Sequence, residues 1–178
     1  MILDQTRARI ADFISPELAE RRKNAIQAAY TDPLTQIGNR RALEAAFPAA
    51  FAEGFVVVLF DVNSFKAVND TLGHKTGDGL LRTVAESLAC TAAEFHCRRV
   101  FRLGGDEFVC LVPKEIAEAF RRRAEIRFDQ LIAHVPEVQR LGVCISGGIG
   151  CSLSDADDAM YFRKQQRKQE SLYATATV

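Results

Sequence analysis

Three carboxylates stand at positions where a cation could gather them. Asp61 directly follows the apolar run Phe55-Val-Val-Val-Leu-Phe60, and Asp106 and Glu107 directly follow Gly104-Gly105. Clustered carboxylates repel one another, and their desolvation is costly unless a cation compensates. Hard oxygen ligands select Mg²⁺, which keeps several waters and shares its shell with substrate phosphates. Two such ions, roughly 3.5–4 Å apart, activate a hydroxyl and steady a leaving pyrophosphate. Gly104 and Gly105 add bare backbone that phosphate oxygens approach closely. Gly and Asp also make good solvated turns, so the turn alone leaves both readings open. What decides is whether the fold brings Asp61 beside it.

The elements that would do so can be read along the chain. Residues 4–30 carry a helical pattern, with Ser15-Pro16 as N-cap and first-turn proline and a thin stripe of Leu18, Ala25, Ile26 and Ala29. Pro33 breaks it. A helix is expected over residues 39–50, with Leu43, Ala46 and Phe47 inward. Phe55–Phe60 is a strand whose uninterrupted β-formers imply burial on both faces. A short helix over 64–70, a loop punctuated by Gly73 and Gly77, and a helix from Leu80 to about Phe95 follow. Residues 98–103 and 107–112 form a hairpin around Gly104-Gly105-Asp106. A helix over 114–133, a Gly-interrupted strand over 141–151 and a helix over 155–170 complete the chain.

The core order is therefore βαββαβ, which suits a ferredoxin-like α+β antiparallel sheet with helices on one face. In that topology the first strand runs antiparallel to the third, so Asp61 at the end of one meets Asp106 and Glu107 at the start of the other. Residues 1–30 read as a helical stub and 31–178 as the main domain.

Composition narrows the function classes. The 178 residues carry 23 Lys plus Arg and 23 Asp plus Glu, a net charge of zero, which disfavours a protein that grips long nucleic acid through its phosphates. No apolar run is long enough to cross a bilayer and no secretory signal opens the chain, so a cytoplasmic location is expected. Cys90, Cys97, Cys110, Cys144 and Cys151 are an odd set without a CxxC pair. They read as reduced core thiols rather than disulfides or a zinc site.

Several segments, in order, resemble one family. Arg102-Leu-Gly-Gly-Asp-Glu-Phe108 contains the signature of the GGDEF diguanylate cyclases. Asp32-Pro-Leu-Thr-Gln-Ile-Gly-Asn-Arg-Arg41 resembles the opening DxLTxLxNRR. Phe60-Asp-Val-Asn-Ser-Phe-Lys-Ala-Val-Asn-Asp70, followed by Gly73-His74 and Gly77-Asp78, resembles FDxDxFKxxND…GHxxGD. Ile145-Ser-Gly-Gly-Ile149 loosely resembles VSIGxA, and Ala156-Asp-Asp-Ala-Met-Tyr-Phe-Arg-Lys164 resembles ADxALYxAK.

The resemblance implies a palm-type, nucleotide-cyclase-like fold and condensation of two GTP into cyclic di-GMP with release of two pyrophosphates. It implies two Mg²⁺ or Mn²⁺ ions per site, held by Asp61, the Val62 carbonyl, Asp106 and Glu107, with Glu107 or Asp106 activating the 3′-hydroxyl. Asn69 and Asp78 match the positions that read guanine; a carboxylate accepting from N1–H and N2–H disfavours adenine and so a mixed dinucleotide product. His74 matches a substrate-side position, and Gly104 and Gly105 the phosphate-facing turn. Lys66, Arg102, Lys164 and Lys168 are candidates to neutralise the triphosphate. Arg163, Arg167 and the other charges of the last helix read as a solvated face. One nucleotide site per domain implies a catalytic homodimer, expected to be weak. A different class remains open: a catalytically weak GGDEF domain that binds GTP and signals through protein contacts.

Some positions depart from the family pattern. Asn63 replaces the second Asp of FDxDxFK. Gly147 stands where Ile is usual, which predicts a looser strand. The connection from Ile149 to Ala156 is short. Lys168 stands where Arg is usual. The inhibitory RxxD motif is absent, Phe95 and Arg98 standing in its Arg and Asp positions, so product should inhibit only at the active site.

Overall fold

The computed structural model describes residues 16–176, with side chains through Gln166 apart from Glu17. The helix expected over 4–30 is found as α1 over Pro16–Tyr30, while residues 4–15, with the Ser15 cap, lie outside the described residues. A two-residue strand β1 (Gly38–Asn39) leads into α2 (Arg40–Ala52), whose first turn is capped by the Asn39 side chain accepting from Ala42 N–H at 3.0 Å. Then come β2 (Phe55–Asn63), α3 (Phe65–Leu72), α4 (His74–Glu94), β3 (Val100–Gly104) and β4 (Glu107–Pro113). A 3₁₀ turn at Lys114–Ile116 opens α5 (Ala117–Ile132); α6 (Pro136–Arg140), β5 (Cys144–Gly150) and α7 (Leu153–Ala176) follow.

The strands lie in the order β1-β3-β4-β2-β5. β2 is an interior strand, antiparallel to both β4 and β5, as expected for βαββαβ. The sheet is mixed rather than purely antiparallel, because β1 adds a short parallel edge to β3.

Helices cover both faces, not one. Val56, Val58, Phe60 and Val62 of β2 face α3, α4 and α5, packing with Val68, Val84, Leu88, Phe120 and Phe128. Val57 and Leu59 point the other way, with Val109 and Leu111 of β4, onto Leu43 and Ala50 of α2 and Ala156 and Met160 of α7. The strand alternates sides every residue, so a run apolar at every position requires two cores.

Two local expectations are corrected. Gly77 does not punctuate a loop; α4 starts at His74 and runs through it, and the chain instead turns at Gly73, with φ +83°. Gly147 does not loosen β5. A Cβ there would lie 2.7 Å from Arg121 Cγ and 2.8 Å from the Phe60 ring, so those two side chains already fill the space. Among the cysteines, Cys97 and Cys110 are buried, Cys144 is half-buried, and Cys90 and Cys151 are exposed; the core expectation holds for two. Among the described residues no helix is long and apolar enough to cross a membrane.

Candidate active site

Backbone register places the carboxylates. Asp61 and Glu107 are direct partners across β2 and β4, with Asp106 one residue before Glu107 in the turn. Odd-numbered residues of both strands face α7, so Asp61 and Glu107 project on the same side of the sheet. Val62 points into the opposite core, so only its backbone is available to a ligand. From α7, the Lys164 ammonium reaches across and pairs with Asp61 Oδ1.

The electrostatics record this crowding. Burial pushes the Asp106 carboxyl up from its ordinary value, and the charge of Asp61 pushes it further; Lys164 and Arg102 oppose the shift. Among the described residues no three His, Cys, Asp or Glu side chains form a ready metal cage. Asp61, Asp106 and Glu107 are instead an open set of hard oxygen donors, the kind that binds Mg²⁺ or Mn²⁺ in company with phosphates and water. On that chemistry they fit the implied ions.

The turn is held from outside the hairpin. Gly105, with φ +54°, takes a left-handed conformation that a side chain would strain, and the register shifts between Arg102 and Gly104. Arg102 donates to the Gly105 carbonyl at 2.7 and 3.1 Å and to Asp32 Oδ1 at 3.0 Å. Asp32 also accepts from Thr35 N–H at 2.9 Å and Thr35 Oγ1 at 2.6 Å. Burial opposes the Asp32 charge, but Thr35 and Arg102 together outweigh it and hold the carboxyl below its ordinary value. Arg102 therefore braces the turn. Asp32 and Thr35, which sequence reasoning left without a role, anchor that brace; their spacing is that of a side chain closing its own turn.

A second group lies beyond β2. Asn69 of α3 sits against Gly77 of α4 so closely that a Cβ on Gly77 would lie 2.0 Å from Asn69 Oδ1. That contact explains a glycine inside a helix. Lys66, His74 and Asp78 stand exposed on the first turns of α3 and α4. The Lys168 side chain lies outside the described residues. Asn63 turns its amide toward β5, donating to Ser146 Oγ at 2.7 Å and to the Cys144 carbonyl at 3.3 Å. Arg163 is not part of a solvated face; it is half-buried and donates to Glu118 of α5. Phe95, in the Arg position of the missing RxxD, packs edge-on against Phe120 at 5.7 Å.

Comparison with known proteins bears on the family and the fold. Residues 29–170 match the family described as diguanylate cyclase, GGDEF domain. The response regulator PleD of Caulobacter vibrioides is 33% identical over 94% of this chain and 37% of its own length. Diguanylate cyclase DgcZ of Escherichia coli is 30% identical over 80% of this chain and 52% of its own. The crystal structure of the coiled coil and GGDEF domain of DgcB from Caulobacter crescentus, in complex with c-di-GMP, superposes with a TM-score of 0.69 at 28% identity, covering 90% of this chain and 95% of that one. The chain thus spans about half or less of the curated relatives named here, and its fold is the palm-type, nucleotide-cyclase-like fold of such domains. A match that runs from the end of α1 into α7, across every strand of the sheet, makes this chain a member of the GGDEF family of diguanylate cyclases.

Proposed function

We propose that residues 31–178 form a cytoplasmic cyclase unit that condenses two GTP into cyclic di-GMP, and that residues 1–30 are a helical stub that brings two units together. The register pairing of Asp61 with Glu107, on the face that receives Lys164, carries this reading. Each GTP offers a 3′-hydroxyl to the α-phosphorus of the other. The new O–P bond forms as the bond to the β-phosphate breaks, and pyrophosphate leaves.

Asp61, Asp106, Glu107 and the Val62 carbonyl would hold two Mg²⁺ or Mn²⁺ ions, which when bound lower the pKa of the hydroxyl and offset charge on the leaving group. Glu107 takes the 3′-hydroxyl proton. Lys66, Lys164 and Lys168 offset triphosphate charge, and Arg102 serves the phosphates through the turn it braces. Asn69 and Asp78 pair with the guanine edge, beside His74.

One domain holds one such set, so two domains must face each other about a two-fold axis. The stub fits that task. Its C-terminal end is tied down, Asn39 Nδ2 donating to the Ala29 carbonyl at 3.0 Å and Arg41 lying over the Tyr30 ring at 5.3 Å. Leu18 and Ile26 are more than half exposed and leave apolar surface on the outside of the helix.

The test is incubation of purified protein with GTP and Mg²⁺, with identification of the product and its rate at several protein concentrations. Cyclic di-GMP at a specific activity that rises with concentration supports the reading. GTP binding without product would leave a domain that signals through protein contacts. Product inhibition that excess GTP fails to relieve would contradict a single nucleotide site.

A further inference from the structure

Three departures from the resembled pattern fall on β5, on α7 and on the link between them. Gly147 stands for Ile, Arg163 stands for the Ala of YxAK, and only Cys151 and Ser152 connect β5 to α7. Arg121 lies where the missing side chain of residue 147 would be. Its own side chain is 5% exposed, and it donates to Glu118 at 2.8 and 3.1 Å and to Glu125 at 2.6 Å. The other Glu125 oxygen accepts the Gly147 N–H at 3.0 Å. Glu118 in turn accepts from one nitrogen of Arg163 at 3.4 Å through both its oxygens. The result is an ionic clasp joining α5, the edge strand β5 and α7.

The clasp ends one residue from Lys164. Successive residues on a helix point about 100° apart, so the turn that sends Arg163 to α5 sends Lys164 toward β2. The first turns of α7 are held by Ala156 and Met160 in the second core and by close approach to β5, where a Cβ on Gly148 would be 2.1 Å from the Ala156 carbonyl oxygen. The next turn, which carries Lys164, exposes Tyr161 and Phe162, and there Arg163 supplies the tie to α5. A half-exposed ion pair standing alone contributes little. Here Glu118 is already immobilised by Arg121 and Arg122, so Arg163 meets a fixed partner. Hydrogen bonds from Arg121 first, then from Arg122, hold the Glu118 carboxyl at about 2 against the effect of burial.

We propose that Glu118 and Arg163 are positioning residues for Lys164. Buried Arg121 fixes Glu118, Glu118 holds Arg163, and α7 is thereby rotated so that the Lys164 ammonium stands at Asp61. In this chain an ionic clasp replaces apolar packing behind the phosphate side of the site. The proposal rests on the reading of that site as a GTP site.

The test uses the full chain and 3′-deoxy-GTP with Mg²⁺; the analogue lacks the attacking hydroxyl, so calorimetry reads binding without product. Arg163→Ala should weaken binding about threefold to tenfold, in the range of coupled neighbours. Arg163→Lys should recover most of it, because a single nitrogen makes the contact. In a Lys164→Met background, Arg163→Ala should change affinity less than about twofold, since the residue it positions is gone. Arg163→Ala protein that binds as tightly as the unaltered chain would overturn the proposal. So would a loss of equal size with and without Lys164, which marks a brace for the fold alone. An unaltered chain that binds no 3′-deoxy-GTP would overturn the GTP site itself and this proposal with it.

Discussion

Arg102 joins two points far apart in the chain: its guanidinium donates to Asp32 at 3.0 Å and to the Gly105 carbonyl at 2.7 Å. The segment by which the chain leaves α1 is thus tied to the turn that carries Asp106. Both partners of the ion pair are mostly buried, at 13% and 17% exposure. Arg102→Ala removes the counterion of Asp32, which keeps its Thr35 donors, and the guanidinium that donates to the Gly105 carbonyl, a loss of about 1–3 kcal/mol. It should lower the Tm by several degrees, roughly 2–8 °C, and reduce cyclic di-GMP formation more than that instability accounts for. Thermal unfolding and a product assay at a temperature well below the Tm check both; a fully active variant would separate the brace from catalysis.

On the proposed function Asp61→Asn and Asp106→Asn should both lose product, yet the two variants should differ in stability. Asp106 is pushed up by burial and by Asp61, so Asp106→Asn removes a charge that the fold disfavours. Its Tm in metal-free buffer should rise. Asp61→Asn breaks the pair with Lys164 while easing the same repulsion, so its Tm should stay level or fall. Scanning calorimetry in EDTA compares them, and a lower Tm for Asp106→Asn would contradict the crowding.

Gly77→Ala tests the Asn69 contact. Alanine suits a helix interior better by about 1 kcal/mol, but its Cβ would collide with the Asn69 amide at 2.0 Å. Asn69 is the flexible partner and must move. The variant should keep the fold while its KM for GTP rises about tenfold, a cost of about 1.4 kcal/mol in substrate binding. Steady-state kinetics with circular dichroism decides; an unchanged KM would mean that Asn69 does not read the base from this position.

The clasp has an acid limit. Glu118 titrates at about 2 in the folded protein, below its ordinary 4.5. A depressed carboxylate contributes stability that is full above the ordinary value and is lost as pH falls toward the folded one. Glu118→Gln should therefore lower the Tm near neutral pH and flatten its decline between about pH 4.5 and 2. Salt should shrink the difference, because the Glu118 side chain is 45% exposed. Parallel melting curves across that pH window check the sign.

Much of this was legible because it is local. The run Phe55–Phe60 is a strand from its β-formers, Gly104-Gly105 is a turn from its backbone needs, and the order of elements brings Asp61 beside Glu107. The same run also implied a second covered face, which a one-layer arrangement of helices could not supply; α2 and α7 fill it. What the tertiary structure alone decided concerns residues whose neighbours are distant in sequence. Gly77 reads as a helix breaker until Asn69 occupies the space of its Cβ. Arg121 is the first of three consecutive arginines on α5, and nothing in that run marks it for burial. It is buried because Gly147, 26 positions on, leaves room for its stem, while two glutamates on its own helix hold its charge. Propensity and periodicity act over one turn or one pleat, whereas the worth of a buried charge depends on whichever partners the completed fold puts around it.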